Sequence, residues 1–240
     1  MVRKLRLDQL LVAKRLVESR SQAENYIKLG YVQLDGEVVV KPGLFIRDTA
    51  DVRIIVDNQY VSRAAYKLAS VTQTLGINFK DKVVLDIGSS TGGFTDYALQ
   101  HGARKVIAVD VGTRQMHAKL RDDPRVELHE QTDFRTLRST SERVDIMVAD
   151  VSFISLRDIL PHAAHLATKH TQIVAMVKPQ FESGVKLKNK GVVKNDTMRR
   201  EILKEFEEWS KKFFVIHAKA DSDVAGEKGN RERFYLLSRI

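Results

Sequence analysis

Twelve consecutive residues restrict the fold of this chain more than any other stretch: Val83-Val-Leu-Asp86-Ile-Gly88-Ser89-Ser90-Thr91-Gly92-Gly93-Phe94. The first five are apolar but for one acid, too few for a helix and continuous enough for a strand covered on both faces. The small residues that follow let the backbone turn sharply and open a helix while a ligand approaches closely. Similar apolar runs recur at 106–109, 144–149 and 173–177, separated by stretches long enough for helices. This alternation predicts an α/β, Rossmann-like domain around a mostly parallel sheet. Two last runs, 213–216 and 234–237, have no obvious helix between them and predict a late antiparallel strand pair.

Before residue 60 the pattern differs. Leu7, Leu10, Leu11 and Leu16 have helical spacing, and Ser21 with Glu24 three residues on reads as the capped start of a second helix that Gly30 closes. Alternating runs at 31–34, 37–40 and 51–56 are split by Asp35-Gly36 and Lys41-Pro42-Gly43 turns. Residues 1–59 therefore read as a small α+β domain and 60–240 as the larger α/β domain. No apolar run approaches the ~20 residues of a membrane helix, and residues 1–14 are charged where an export signal is apolar. A cytoplasmic protein without membrane insertion is expected. The absence of cysteine excludes disulfides, zinc–thiolate and iron–sulfur sites and any thiol nucleophile. Forty Lys and Arg against 31 acids give a net charge of +9, which favours a polyanionic partner such as nucleic acid or an anionic membrane face.

The ends of the apolar runs carry the chemistry. The turn Gly88, Ser89, Ser90, Thr91, Gly92 and Gly93 lacks dinucleotide-fingerprint spacing, and Asp86 beside it would repel a diphosphate but suit a ligand amine. Asp110 ends the next run, where it can accept hydrogen bonds from ribose hydroxyls, and Asp133 is placed to meet an adenine amine. Together these favour S-adenosylmethionine over a nicotinamide dinucleotide; the bland alternative is a structural glycine turn with solvated acids. Asp150 and Lys178 follow the runs at 144–149 and 173–177, so an open α/β sheet brings both to its ligand crevice as a candidate acid–base pair. Taken singly, Asp150 reads equally well as a helix cap and Lys178 as a surface lysine.

Arg6-Leu-Asp-Gln, Tyr60-Val-Ser-Arg-Ala-Ala-Tyr-Lys67-Leu, Leu85-Asp-Ile-Gly-Ser-Ser-Thr-Gly-Gly-Phe-Thr-Asp, Ala149-Asp-Val-Ser-Phe-Ile-Ser-Leu, Val177-Lys-Pro-Gln-Phe-Glu and Gly229-Asn-Arg-Glu232 together resemble the TlyA family along the whole chain. That family comprises ribosomal RNA 2′-O-methyltransferases often labelled haemolysins. The resemblance implies an N-terminal RNA-binding domain of the ribosomal-protein type and an FtsJ-like methyltransferase domain using S-adenosylmethionine. Its Lys-Asp-Lys-Glu tetrad falls on Lys67, Asp150, Lys178 and Glu232, and a cytidine ribose is the implied target. Arg233 departs from the hydrophobic residue expected after the tetrad glutamate, and Asp57-Asn-Gln-Tyr60 differs from the Arg/Trp-containing linker of mycobacterial members.

Methyl transfer to a ribose hydroxyl needs in-line approach and a base for a weakly acidic proton. Lys178 is the expected base; Lys67 favours its neutral amine, while Asp150 and Glu232 place the amines and balance charge. Elimination points the same way. Pyrimidine-carbon methylation usually needs a cysteine adduct, and the motif of exocyclic-amine enzymes is replaced here by Asp150-Val-Ser-Phe. Arg6, Arg15, Arg20 and Lys28 in the first module, and Lys186, Lys188 and Lys190 after Lys178, are candidate contacts to ribosomal RNA or ribosomal subunits, or else ordinary solvated charges. His162 and His165 lack an evident third ligand, so no metal site is expected. The rival functions are a non-catalytic RNA-binding assembly factor and, with little support from such short apolar runs, a pore-forming haemolysin.

Overall fold

A computed structural model describes residues 4–17, 20–28, 30–54, 60–183, 192–193, 195–226 and 229–240. The chain divides into two compact units, Met1–Gln59 and Tyr60–Ile240.

In the first unit, helices α1 (Leu7–Ala13) and α2 (Arg20–Lys28) accompany five short strands, β1 (Lys4–Arg6), β2 (Val32–Leu34), β3 (Glu37–Val38), β4 (Phe45–Arg47) and β5 (Val52–Ile54). Strands β1 and β4 pair antiparallel, and β3-β2-β5 form a second small sheet. Asp35 and Gly36 make the β2–β3 turn with left-handed φ values of 50° and 88°, the backbone that an Asp-Gly hairpin favours. Leu7, Leu10 and Leu11 of the face read from the sequence meet Ala23 and Ile27 of α2 in a core against Val32, Ile46 and Val52, whereas Leu16 lies beyond the end of α1 and is exposed. Helix α2 spans Arg20–Lys28, so Ser21 falls within its range rather than ahead of it. Gly30, at φ 74°, follows its end and donates to the Ile27 carbonyl at 3.0 Å.

The second unit is a seven-stranded sheet flanked by helices. In chain order it comprises α3 (Arg63–Leu75), β6 (Val83–Ile87), α4 (Gly93–Gln100), β7 (Lys105–Val109), α5 (Ala118–Arg121), β8 (Val126–His129), β9 (Ile146–Ala149), α6 (Leu156–Leu166), β10 (Gln172–Val177), α7 (Pro179–Glu182), α8 (Asp196–Ser210), β11 (Phe214–Asp221) and β12 (Arg233–Arg239). The strand order is β11-β12-β10-β9-β6-β7-β8, parallel from β10 to β8, with β12 antiparallel to both its neighbours. Period-two alternation divides each strand between two cores. Val84, Val106, Val148 and Met176 pack with α3 and α4, whereas Leu85, Ile107, Met147 and Ala175 pack with α6 and α8. Strands β6 and β9 are hydrogen-bonded neighbours from which the chain winds in opposite directions, and such a reversal opens a crevice at the carboxyl ends of the strands. Among the described residues no helix is long and apolar enough to cross a membrane.

Candidate active site

The crevice is built by close backbone approach. Gly88, at φ 81°, turns the chain out of β6; a β-carbon there would lie 2.7 Å from the carbonyl oxygen of Asp150 at the end of β9. Gly93 opens α4 directly against Ser62, Ala64 and the Ala65 amide, leaving no room for a side chain. Gly92, at φ 91°, precedes α4 and yields its space to Leu120 and Met116. The resulting cleft encloses roughly 440 Å³, open solvent included, and is lined by Asp86, Gly88 and Ser89–Thr91, with Asp150, Ser152 and Lys178 on its far side.

Two lysine–carboxylate pairs stand at these strand ends. Lys178 Nζ lies 2.5 Å from Asp150 Oδ1 and donates to Ser152 Oγ at 2.7 Å. On the neighbouring strand, Val177 is in register with Arg233, which puts Glu232 beside Lys178 at the entry to β12. Glu232 is buried and pairs with Lys67 of α3 at 2.6 Å. Taking four charged groups largely out of water is costly, and it is tolerated here because each cation has its own counter-ion. Arg233 has a clear role. Its Nε donates to Asp221 at 2.6 Å, Arg199 reaches the same carboxylate at 2.7 Å, and Arg199 Nε donates to the Arg231 carbonyl at 3.0 Å. The backbone on both sides of Glu232 is thus clamped, and the two guanidinium groups hold Asp221 down at about 2 in spite of its partial burial.

The acids near the glycine turn differ sharply. Asp86 is wholly buried; Thr95 Oγ1 donates to its Oδ2 at 2.7 Å, while Oδ1 has no hydrogen-bond partner among the described residues. Burial, reinforced by the charges of Asp150 and Asp110, pushes its carboxyl up to about 7. The hydroxyls of Ser62 and Ser89, which line the same cleft, are likewise buried without partners among the described residues. Unsatisfied buried polar atoms converging on one cleft fit a ligand bearing a cationic amine. Asp110 clasps the turn, accepting from the Ser90 amide at 2.8 Å and the Gly112 amide at 2.7 Å. Asp133 is not brought into the lining of the cleft: its carboxylate binds the amide and guanidinium of Arg135, the latter at 2.6 Å, and caps the short helical turn Phe134–Thr136.

Sequence reasoning missed Ser152 and Glu182. Glu182 is buried and accepts from Ser155 Oγ at 2.5 Å and the Leu156 amide at 2.7 Å, tying the segment after Lys178 to the loop after Asp150. Its partners lie far away in sequence; the only local signal was an acid in the apolar, proline-led turn Pro179-Gln-Phe-Glu182.

The candidate RNA contacts separate as well. Arg6 and Arg20 converge on the buried Asp8, at 2.7 and 3.1 Å, whereas Arg15 is exposed. Lys28 ends α2, and Lys186, Lys188 and Lys190 lie outside the described residues. The His162 ring faces the Leu137 carbonyl at 2.8 Å, and no cluster of three or more metal-binding side chains occurs among the described residues.

Residues 60–239 match the model of the FtsJ-like methyltransferase family, and residues 5–52 match the S4 domain. The chain is 41% identical over 204 residues to the 16S/23S rRNA (cytidine-2′-O)-methyltransferase TlyA of Mycobacterium tuberculosis, covering 83% of this chain and 76% of that protein. It is 38% identical over 203 residues to a protein named Hemolysin A from Brachyspira hyodysenteriae, covering 83% and 85% respectively. A solved structure titled as a hemolysin of Streptococcus thermophilus superposes with a TM-score of 0.77 at 36% identity, over 100% of this chain and 90% of that one.

Proposed function

The chain belongs to the FtsJ-like methyltransferase family, with an S4 domain ahead of the catalytic unit, and from that premise we propose that it methylates a cytidine ribose 2′-hydroxyl of ribosomal RNA with S-adenosylmethionine. The reading takes its substrate from relatives named for that reaction. It also assigns a cytoplasmic site of action, where such RNA is made. The observation that carries it is the pairing of Lys178 with Asp150, and of Lys67 with Glu232, at strand ends beside a cleft with an unsatisfied buried carboxylate.

Asp86 would hold the cofactor's amine, and the backbone from Gly88 to Gly93, clasped by Asp110, would hold its remainder. S-adenosylmethionine, when bound, supplies an electrophilic methyl group on sulfur. Lys178, as the neutral amine, would take the proton of the ribose hydroxyl as its O–H bond breaks and the oxygen bonds to the methyl carbon, whose bond to sulfur breaks with the electron pair kept by sulfur as a neutral thioether. Asp150 stabilises the ammonium so formed, and Lys67, itself balanced by Glu232, offers a second cation to the charge developing on oxygen. The S4 domain supplies docking to RNA.

The test is mass-spectrometric mapping of ribose methylation on ribosomal subunits incubated with the full chain and S-adenosylmethionine. New 2′-O-methylcytidine is expected, and Lys178→Ala should lower the single-turnover rate by roughly 10²–10⁴-fold with cofactor affinity preserved. A Lys178→Ala variant that keeps most of the wild-type rate overturns the assignment of the base.

A further inference from the structure

We infer that Ser152 is a positioning residue that fixes the direction of the Lys178 amine; this rests on Lys178 being the base. A lysine amine is tetrahedral, with three directions around nitrogen besides its own carbon. One of them is given to Ser152 Oγ in a hydrogen bond of 2.7 Å, and Asp150 Oδ1 lies against the nitrogen at 2.5 Å as an ion pair. No other hydrogen-bonding partner of this amine occurs among the described residues. In the neutral amine, an N–H given to Ser152 and the carboxylate of Asp150 beside the nitrogen turn the lone pair away from both, to the side from which an incoming hydroxyl must meet it. With the ion pair alone, no hydrogen bond fixes the rotation of the amine, and its lone pair samples several directions.

Ser152 is held for this task by structure on both sides. Phe153 adopts a left-handed φ of 68°, a strained backbone for an aromatic residue, and so folds the segment between β9 and α6 back toward the Lys178 turn. The far end of that segment is pinned by buried Glu182, which accepts from Ser155 and Leu156. The rings of Phe153 and Phe181, 5.5 Å apart, bridge the same two segments between these ties. Ser152 itself is exposed and lines the cleft, so truncating it removes no core packing.

The experiment compares full-length wild type, Ser152→Ala, Ser152→Thr and Lys178→Ala on ribosomal subunits with saturating S-adenosylmethionine. It reads single-turnover rate against pH, and cofactor affinity by calorimetry. Ser152→Ala should lower the plateau rate between about 10- and 100-fold and leave cofactor affinity unchanged. The rising limb of its pH profile should move to lower pH, because a hydrogen bond accepted from the ammonium is gone. Ser152→Thr, which keeps the hydroxyl, should restore most of the rate. A wild-type plateau for Ser152→Ala, a loss that Thr does not rescue, or a loss confined to binding overturns the role of Ser152 if Lys178→Ala is inactive. If Lys178→Ala is itself active, the base assignment fails first and this inference with it.

Discussion

Asp8 of the first unit and Asp86 of the second have no exposed surface, and the two are treated in opposite ways. Asp8 has every bond it can use: two from Arg6, one from Arg20 and one from the Gln9 amide. Those arginines hold its carboxyl below the usual carboxylate range in spite of burial. Asp86 is held only by the hydroxyl and backbone amide of Thr95, has an oxygen facing a cleft with nothing on it among the described residues, and its carboxyl is pushed up to about 7. Burial is common to both, so burial alone does not mark a functional acid. What distinguishes them is whether the chain completes the hydrogen bonding or leaves that to a ligand.

The largest effect is expected where the bonding is incomplete. Asp86→Asn should weaken S-adenosylmethionine binding by about 100-fold or more without lowering the unfolding temperature of the free protein. Calorimetry finding less than a threefold change removes Asp86 from the amine site. The same acid sets a pH dependence. A cationic amine requires the carboxylate, so affinity should fall about tenfold per pH unit below about 7, with a proton released on binding. Binding that is flat between pH 5 and 7 breaks this account.

Asp8 should behave the other way round. Asp8→Ala removes charge-assisted bonds inside the first unit and should cost about 2 kcal/mol, read as a lower denaturation midpoint, with cofactor affinity unchanged in the folded protein. The pH signs also oppose. Folding depresses Asp8, so its contribution is present above the ordinary value of 3.8 and is lost as pH falls through its lower folded value. Folding raises Asp86, so its cost is absent below 3.8 and grows as pH climbs to about 7. Chemical denaturation from pH 2 to 8 of wild type, Asp8→Asn and Asp86→Asn separates the two; identical slopes in all three would erase the contrast.

The smallest effect belongs to the exposed cations. Arg15→Gln should leave stability unchanged and reduce the salt dependence of RNA binding by about one unit of slope. An unchanged slope would make Arg15 an ordinary solvated charge. Arg6 and Arg20, being partners of Asp8, are poor probes of RNA binding, because replacing them perturbs the fold.

The parts of this site that could be read from sequence are those carried by local pattern. Apolar runs followed by Asp150 or Lys178 place both residues at strand ends, and the Gly88–Gly93 segment announces a turn by its composition alone. Lys67 and Glu232 have no such signature: one is a lysine within an ordinary helix and the other an acid between two arginines, and only the family resemblance singled them out. Asp133 contacts Arg135 two residues on, a local pairing that the placement of strand ends gives no sign of. Strands β1, β4 and β8 were missed for a related reason. Three or four partly polar residues at a sheet edge acquire their conformation from a partner strand, not from their own periodicity.

Strand β12 lies between β10 and β11 although it follows both in the chain. During synthesis, β6 to β10 can pair as they emerge, but β11 has no neighbour in the sheet until β12 arrives, and Lys67 must wait through almost the whole catalytic unit for Glu232. The Asp150–Lys178 pair thus joins the ends of two strands adjacent in chain order, whereas the second ion pair needs a strand that follows both. Closing the Lys67–Glu232 pair therefore requires β12, and a chain without that strand has no carboxylate to receive Lys67.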